Sequence, residues 1–299
     1  MITQRDKKIR RTRGLFKVID LLTSMFGARI GVRGAPKFTE VTYDVKKGIK
    51  ADLYLPENAG KHPVFVNIHG GGFVAGDKAF RRRFCSEIAR LGYAVLNVNY
   101  TTCDQAPLPG FIEDIVSALG YLLDNADKLG LDTSKVVIGG DSAGGLMAFL
   151  TGAILMNPLQ FEKLLGKISG FMPVGLAMMC GLYSYELAKR TDMPFNVGDA
   201  ILSAVVGQGG INALSPEALM MLEPVKLLNK RTPPCFVSFT EADDFCKGQE
   251  EILLGKLEEL DLEVHCVKEK KAIHCWHLLP GKRSRKARRE LHEFLIRLK

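Results

Sequence analysis

Five consecutive residues, Gly140-Asp141-Ser142-Ala143-Gly144, constrain the fold of this chain more than any other stretch. They follow directly on a β-rich run, Lys135 to Gly139, and open a helical pattern, Ala143 to Met156. Glycines two before and two after the serine permit a tight strand-to-helix turn, on which Ser142 Oγ stands exposed above the positive end of the helix. The spacing therefore predicts an α/β architecture and nominates Ser142 as a nucleophile. A plain structural turn is the alternative, and the other motifs decide between the two.

Upstream, His69-Gly70-Gly71-Gly72-Phe73 follows a second β-rich run, Val64 to Ile68. Consecutive glycines let backbone N–H groups point into a site without side-chain obstruction, as a developing oxyanion requires. Phosphate binding fits less well, because neither a Gly-Lys-Ser/Thr ending nor a helix-opening G-x-G-x-x-G is present. A serine nucleophile needs a base and an acid that orients the base, from the carboxyl ends of later strands. Thr240-Glu241-Ala242-Asp243-Asp244-Phe245 follows the run Cys235 to Phe239, and Ala272-Ile273-His274-Cys275-Trp276-His277 follows Val264 to Val267. The order Ser, acid, His is thus met. Spacing alone does not say which member of each cluster serves.

Other β-rich runs are Phe38 to Val45, Lys50 to Leu55, Ala94 to Asn99, Val136 to Ile138 and Ile168 to Val174. Helical patterns lie near Phe80 to Leu91, Phe111 to Leu129, Gly248 to Leu260 and Lys282 to Leu298. Two early strands followed by strand-helix alternation predict a mostly parallel eight-stranded sheet with helices on both faces. The segment 184–222, rich in Met, Ala, Leu and Gly, breaks this rhythm and reads as a cap insertion. Leu15 to Phe26 shows helical apolar spacing behind a basic start, so residues 1–34 read as a basic amphipathic cap segment and 35–299 as the catalytic domain. Cap and strand ends would then enclose the ligand.

The 299 residues, 46% hydrophobic and 25% charged, suit one large globular domain. No apolar run approaches the ~20 residues that span a bilayer. The net charge is +8, of which residues 1–14 hold +5 and residues 282–299 hold +6, leaving −3 on the body. A nucleic-acid binder would be basic throughout, so none is expected as a partner. Seven cysteines without framework spacing read as reduced thiols in a cytoplasmic protein. The start superficially suggests a signal peptide, but Lys17 and Asp20 interrupt its apolar part. His265, Cys266, His274, Cys275 and His277 do not match a known zinc-ligand spacing, and no metal is expected.

With these motifs in place, the sequence from about Phe38 onward resembles the hormone-sensitive-lipase-like carboxylesterases of the α/β-hydrolase superfamily. The resemblance rests on His69-Gly-Gly-Gly-Phe73, Gly140-Asp-Ser-Ala-Gly-Gly145, the acid after the penultimate strand and the histidine after the last. It implies an α/β-hydrolase fold with a small helical cap. In that family the acid sits in Asp-x-Leu and the base in Ile/His-Gly-Phe, so the resemblance nominates Asp243 in Asp243-Asp244-Phe245 and His274 in Ile273-His274-Cys275-Trp276. It also implies an oxyanion hole of Gly71, Gly72 and the Ala143 amide. His69, Gly70 and Asp141 become supporting positions, with His69 bracing the loop. The chain departs from the family at Tyr100-Thr-Thr-Cys-Asp-Gln-Ala-Pro107, which keeps the Tyr but lacks the family's Arg and Glu, and also at Lys247, Cys275 and Trp276.

The implied reaction is cofactor-free hydrolysis of small uncharged short- to medium-chain acyl esters through an acyl-enzyme. An amide or formamide hydrolase on the same triad and a non-catalytic ligand-binding relative are the alternatives. Besides a small-molecule ester, the partners this reading allows are a membrane surface, touched weakly by the basic N-terminal stretch, and a second copy in a homodimer.

Overall fold

In a computed structural model describing residues 3–166 and 172–299, the apolar runs assemble into one eight-stranded sheet. Its strands are β1 (Phe38–Asp44), β2 (Ile49–Tyr54), β3 (His62–Ile68), β4 (Ala94–Val98), β5 (Leu131–Asp141), β6 (Gly175–Met179), β7 (Cys235–Thr240) and β8 (Val264–Glu269). Their order is β1-β2-β4-β3-β5-β6-β7-β8. The β1–β2 and β2–β4 pairs are antiparallel, and every later pair is parallel. Every residue of β3, β4, β6 and β7 is buried. That explains their continuous apolar runs, since helices cover both faces of a parallel sheet.

The covering helices are α1 (Gln4–Ser24), α2 (Arg82–Ala89), α3 (Gly110–Asp124), α4 (Ala126–Leu129), α5 (Ala143–Met156), α6 (Pro158–Leu165), α7 (Tyr185–Arg190), α8 (Gly198–Val206), α9 (Pro216–Met220), α10 (Gln249–Glu259) and α11 (Lys282–Arg297). Leu146 is the one residue of α5 that is not buried, so α5 is apolar all round, as a helix inside the core must be.

Two expectations need correction. The strand expected at Ile168 to Val174 runs instead from Gly175 to Met179, and residues 168–171 lie outside the described ones. Gly-Leu-Ala-Met-Met has low β-propensity; burial between β5 and β7 makes it a strand. The N-terminal helix begins not at Leu15 but at Gln4, because Thr3 and Asp6 form a reciprocal capping box. α1 lies across α8: Arg5 Nη2 donates to the Ser203 carbonyl at 2.9 Å, and Lys8 pairs with Asp199 at 3.3 Å.

Candidate active site

The turn between β5 and α5 leaves Ser142 at φ 53°, ψ −121°, a conformation costly for a residue with a side chain. Its surroundings fix it there. The Ser142 amide donates to the Met179 carbonyl at 2.8 Å, and the Ser142 carbonyl accepts from Leu146 N at 3.2 Å. A Cβ on Gly144 would lie 2.0 Å from the Ile68 oxygen, and one on Gly140 2.4 Å from the Gly144 oxygen. Both flanking glycines are thus required by close backbone approach as well as by the turn.

The loop after β8 carries His274 onto this serine. Nε2 of His274 lies 2.8 Å from Ser142 Oγ, and Nδ1 lies 2.7 Å from Asp243 Oδ2. Asp243 ends the turn after β7, and its Oδ1 accepts from the amides of Phe245 at 2.9 Å and Cys246 at 3.0 Å. Burial acts to raise the Asp243 carboxyl, but the His274 ring and the two amides outweigh it and hold its pKa below the ordinary value. Burial likewise opposes charging of His274, while Cys275 and Asp243 beside the ring bring its pKa above the ordinary value. Thr240 Oγ1 ties the two loops together, donating to the Ala272 carbonyl and accepting from the Ala272 amide, both at 3.1 Å.

The other acids and the second histidine of the two clusters make no bond to Ser142 or His274 among the described residues. Glu241 pairs with Lys268 at 2.8 Å, and Asp244 is exposed at the cleft. His277 is buried against Phe84 and Trp276, with its pKa pushed down to about 3 by burial. His265 faces Glu290 at 3.1 Å while the neighbouring Cys266 is exposed.

Opposite the triad, the loop after β3 brings Gly71 into the cleft beside Ser142. Gly71 and Gly72 have φ of +127° and +59°. A Cβ on Gly71 would meet the Ala75 oxygen at 2.3 Å, and one on Gly70 would meet Asp141 Oδ2 at 2.5 Å. Among the described residues, the amides of Gly71, Gly72 and Ala143 donate to no protein acceptor. His69 is buried and stacks on Tyr100 with ring centroids 4.4 Å apart, and its Nδ1 donates to the Gly70 carbonyl at 2.7 Å. Burial lowers its pKa to about 4, so the ring is neutral and braces the loop.

Asp141 joins this loop to the serine turn. Its carboxylate accepts from the Gly70 amide at 3.2 Å and from Arg81 Nε and Nη2 at 2.6 Å each. Burial would raise the Asp141 carboxyl, but the Arg81 guanidinium holds it below the usual range. Arg81 lies in a short 3₁₀ turn, Lys78–Arg81, anchored on β2 where Lys78 and Arg82 grip the buried Asp52 at 2.6 and 2.8 Å. Sequence reasoning gave no role to Arg81. Asp20, which interrupts the apolar stretch of α1, places its carboxylate 3.9 Å from Arg81 at the cleft wall. Burial raises the Asp20 pKa to about 6, against the pull of Arg81.

The cleft above Ser142 has a volume of about 460 Å³. α1 supplies Phe16 and Ile19 to its wall, the 184–222 insertion supplies Pro194 and Phe195, and the triad loops supply Phe245 and Ile273. Phe16 lies over Gly72, its ring centroid 6.2 Å from that of Phe245, and the Phe245 ring in turn lies 5.1 Å from that of His274. The wall is thus largely apolar, although Asp20, Thr23 and Asp244 also line it. Ligand atoms of Cys180, His274 and Cys275 come within 4.8 Å of one another, as do those of Asp243, Cys246 and His274. Both ring nitrogens of His274 are already engaged by Ser142 and Asp243, so a soft cation held by His274 would displace one of these contacts.

Comparison with known proteins agrees with this geometry. Residues 51–257 match the BD-FAE family model. The chain is 36% identical over 93 residues to Lipase 2 of Moraxella sp. (strain TA144), a stretch that is 31% of this chain and 22% of that one. It is 33% identical over 122 residues to an AB hydrolase superfamily protein of Schizosaccharomyces pombe, covering 39% of this chain and 36% of that one. The aligned stretches thus span well under half of either curated relative. The fold is similar to that of esterase B from Lactobacillus rhamnosus, with a TM-score of 0.84 over 98% of this chain and 96% of that one at 21% identity. A Pyrobaculum calidifontis esterase gives a TM-score of 0.77 over 97% and 93% at 22% identity. With a doubly covered, mostly parallel sheet of the α/β-hydrolase fold, a serine on the β5–α5 turn and a family match over most of its length, the chain belongs to the BD-FAE family.

Proposed function

We propose that the protein is a serine carboxylesterase acting on small uncharged esters with short- to medium-chain acyl groups. The observation that carries this reading is the unbroken relay from Asp243 through His274 to Ser142 Oγ, with links of 2.7 and 2.8 Å, ending in a cleft that Gly71 also lines. In the proposed reaction His274 Nε2 takes the Ser142 proton as Oγ attacks the ester carbonyl. Asp243 holds the ring in the tautomer with Nδ1 protonated and favours the imidazolium that forms. The amides of Gly71, Gly72 and Ala143 receive the oxyanion. His274 then protonates the departing alcohol, and the same base activates water to release the acid from the acyl-enzyme.

A cleft of about 460 Å³ with a mostly apolar wall favours short to medium acyl chains. Structures of esterase B are described with C4–C4 tributyrin phosphonate and C6–C4 inhibitors, ligands of this size class. Amide or formamide hydrolysis on the same triad would demand stronger protonation of the leaving group, so esters are favoured. A binding-only relative would have no need for an acid, base and serine in register. The test is turnover of p-nitrophenyl acetate, butyrate, octanoate and laurate. Turnover peaking at butyrate or octanoate is expected; a folded protein inert toward all four would overturn the reading.

A further inference from the structure

We propose that the outward face of α1 docks the protein on an anionic phospholipid surface. α1 has two different faces. Ile9, Thr12, Phe16 and Asp20, spaced three or four apart, face the body of the protein and the cleft. On the opposite side Lys7, Arg11, Val18, Leu22 and Met25 follow one another at helical spacing, with Arg10 and Leu21 beside them, and all of these are exposed. Leu21 is 62% exposed and Met25 77%, and the exposed apolar strip continues past the helix through Phe26 and Ile30.

An amphipathic helix that had only to cap the cleft would put polar residues on its solvent side. Here the solvent side is basic in its first half and apolar in its second. That pairing matches the chemistry of an anionic bilayer, where cationic side chains meet the headgroups and aliphatic ones enter the acyl boundary. A second copy of the chain fits this face less well, because parallel helices would bring Lys7, Arg10 and Arg11 against their counterparts and antiparallel ones would set them against the apolar Val18, Leu22 and Met25. The same helix supplies Phe16 and Ile19 to the cleft wall, and the exposed side chains Phe195 and Ile273 also line the cleft. A protein docked through α1 would thus have its cleft close to the lipid.

The test is sedimentation of the full chain with vesicles of phosphatidylcholine alone and with about one third phosphatidylglycerol, at low and high salt, binding to the anionic vesicles being expected to exceed zwitterionic binding about tenfold and to fall with salt. The apolar variant Leu21→Gln/Leu22→Gln/Met25→Gln and the charge variant Lys7→Gln/Arg10→Gln/Arg11→Gln should each lose that binding with circular dichroism unchanged. Leu159→Gln, at an exposed site on α6, should keep it. Wild-type protein that stays in the supernatant with anionic vesicles would overturn the proposal, as would an apolar variant that binds like the wild type. A wild-type dimer that the apolar variant breaks, without vesicle binding, would assign the face to a second copy. The readout is binding rather than turnover, so failure here leaves the esterase reading untouched.

Discussion

Arg81 grips Asp141, the residue preceding Ser142, through two parallel hydrogen bonds of 2.6 Å, and both side chains are buried. The same carboxylate accepts the Gly70 amide. One ion pair therefore fixes the serine turn against the glycine loop, and in the proposed mechanism it sets the distance between Ser142 and the amide donors.

Replacing Asp141 by Asn keeps the shape but leaves the buried Arg81 guanidinium with Asp20, 3.9 Å away, as its remaining carboxylate. The expected cost is ~3–5 kcal/mol of stability, the range for removing one partner of a buried pair. Urea unfolding of Asp141→Asn checks this, and a loss below ~1 kcal/mol, the size of an exposed pair, would show that the pair is not stabilising the site.

In the proposed mechanism the raised pKa of His274 sets the acid limb of the pH profile. The base must be neutral to accept the Ser142 proton, so kcat/KM should rise with pH through an inflection above the ordinary imidazole value of about 6.5. Asp243→Asn removes the carboxylate that favours the imidazolium, and should cost about 10⁴-fold in kcat. An inflection below the ordinary value in the wild type would contradict the assignment of the titrating group.

Glu250 on α10 is buried, and its Oε1 has no hydrogen-bond partner among the described residues. Burial raises its pKa from 4.5 to about 8. The folded protein therefore holds a proton that the unfolded chain releases near 4.5, and the stability gained from it is complete below that pH and lost as pH rises through 8. Urea midpoints at acidic, neutral and alkaline pH should fall across this window by an amount worth on the order of a few kcal/mol in the wild type, and much less in Glu250→Gln. Parallel declines in the two proteins would show that Glu250 is not the group responsible.

Phe16 reaches from α1 across Gly72, where a Cβ would lie 2.5 Å from its ring. Phe16→Ala should open the cleft and shift the octanoate-to-butyrate ratio of kcat/KM by about tenfold toward the longer chain. Deleting residues 1–34 should change selectivity or stability as well. Unchanged kinetics and folding in both proteins would remove α1 from the site.

The core of the fold was legible because its signals are local. Val64 to Ile68 and Cys235 to Phe239 read as strands from their β-branched and aromatic runs, and Ala143 to Met156 as a helix from its length after a glycine turn. Gly175 to Met179 was not legible, because its strand character comes from its neighbours rather than its composition. At the site, Ser142 and the glycine loop stood out through their spacing. The choice of Asp243 among three acids and of His274 over His277 came from family resemblance, since side-chain direction in a loop is not periodic. Arg81 and Asp20 carried no signal of their site role: one lies in a basic run, Arg81-Arg82-Arg83, and the other on a helix remote in sequence. Their meeting at Asp141 is a purely tertiary fact.

The central claim is that His274 activates Ser142 as a nucleophile, and covalent trapping tests it most directly. The protein would be treated with diethyl p-nitrophenyl phosphate, the released p-nitrophenol counted and the modified peptide mapped by mass spectrometry. The account predicts a burst of one equivalent, a single adduct on Ser142, no burst from Ser142→Ala, and labelling slowed by about 10⁴-fold in His274→Ala. A folded wild-type protein that releases no p-nitrophenol, or that carries the adduct on another residue, would contradict it.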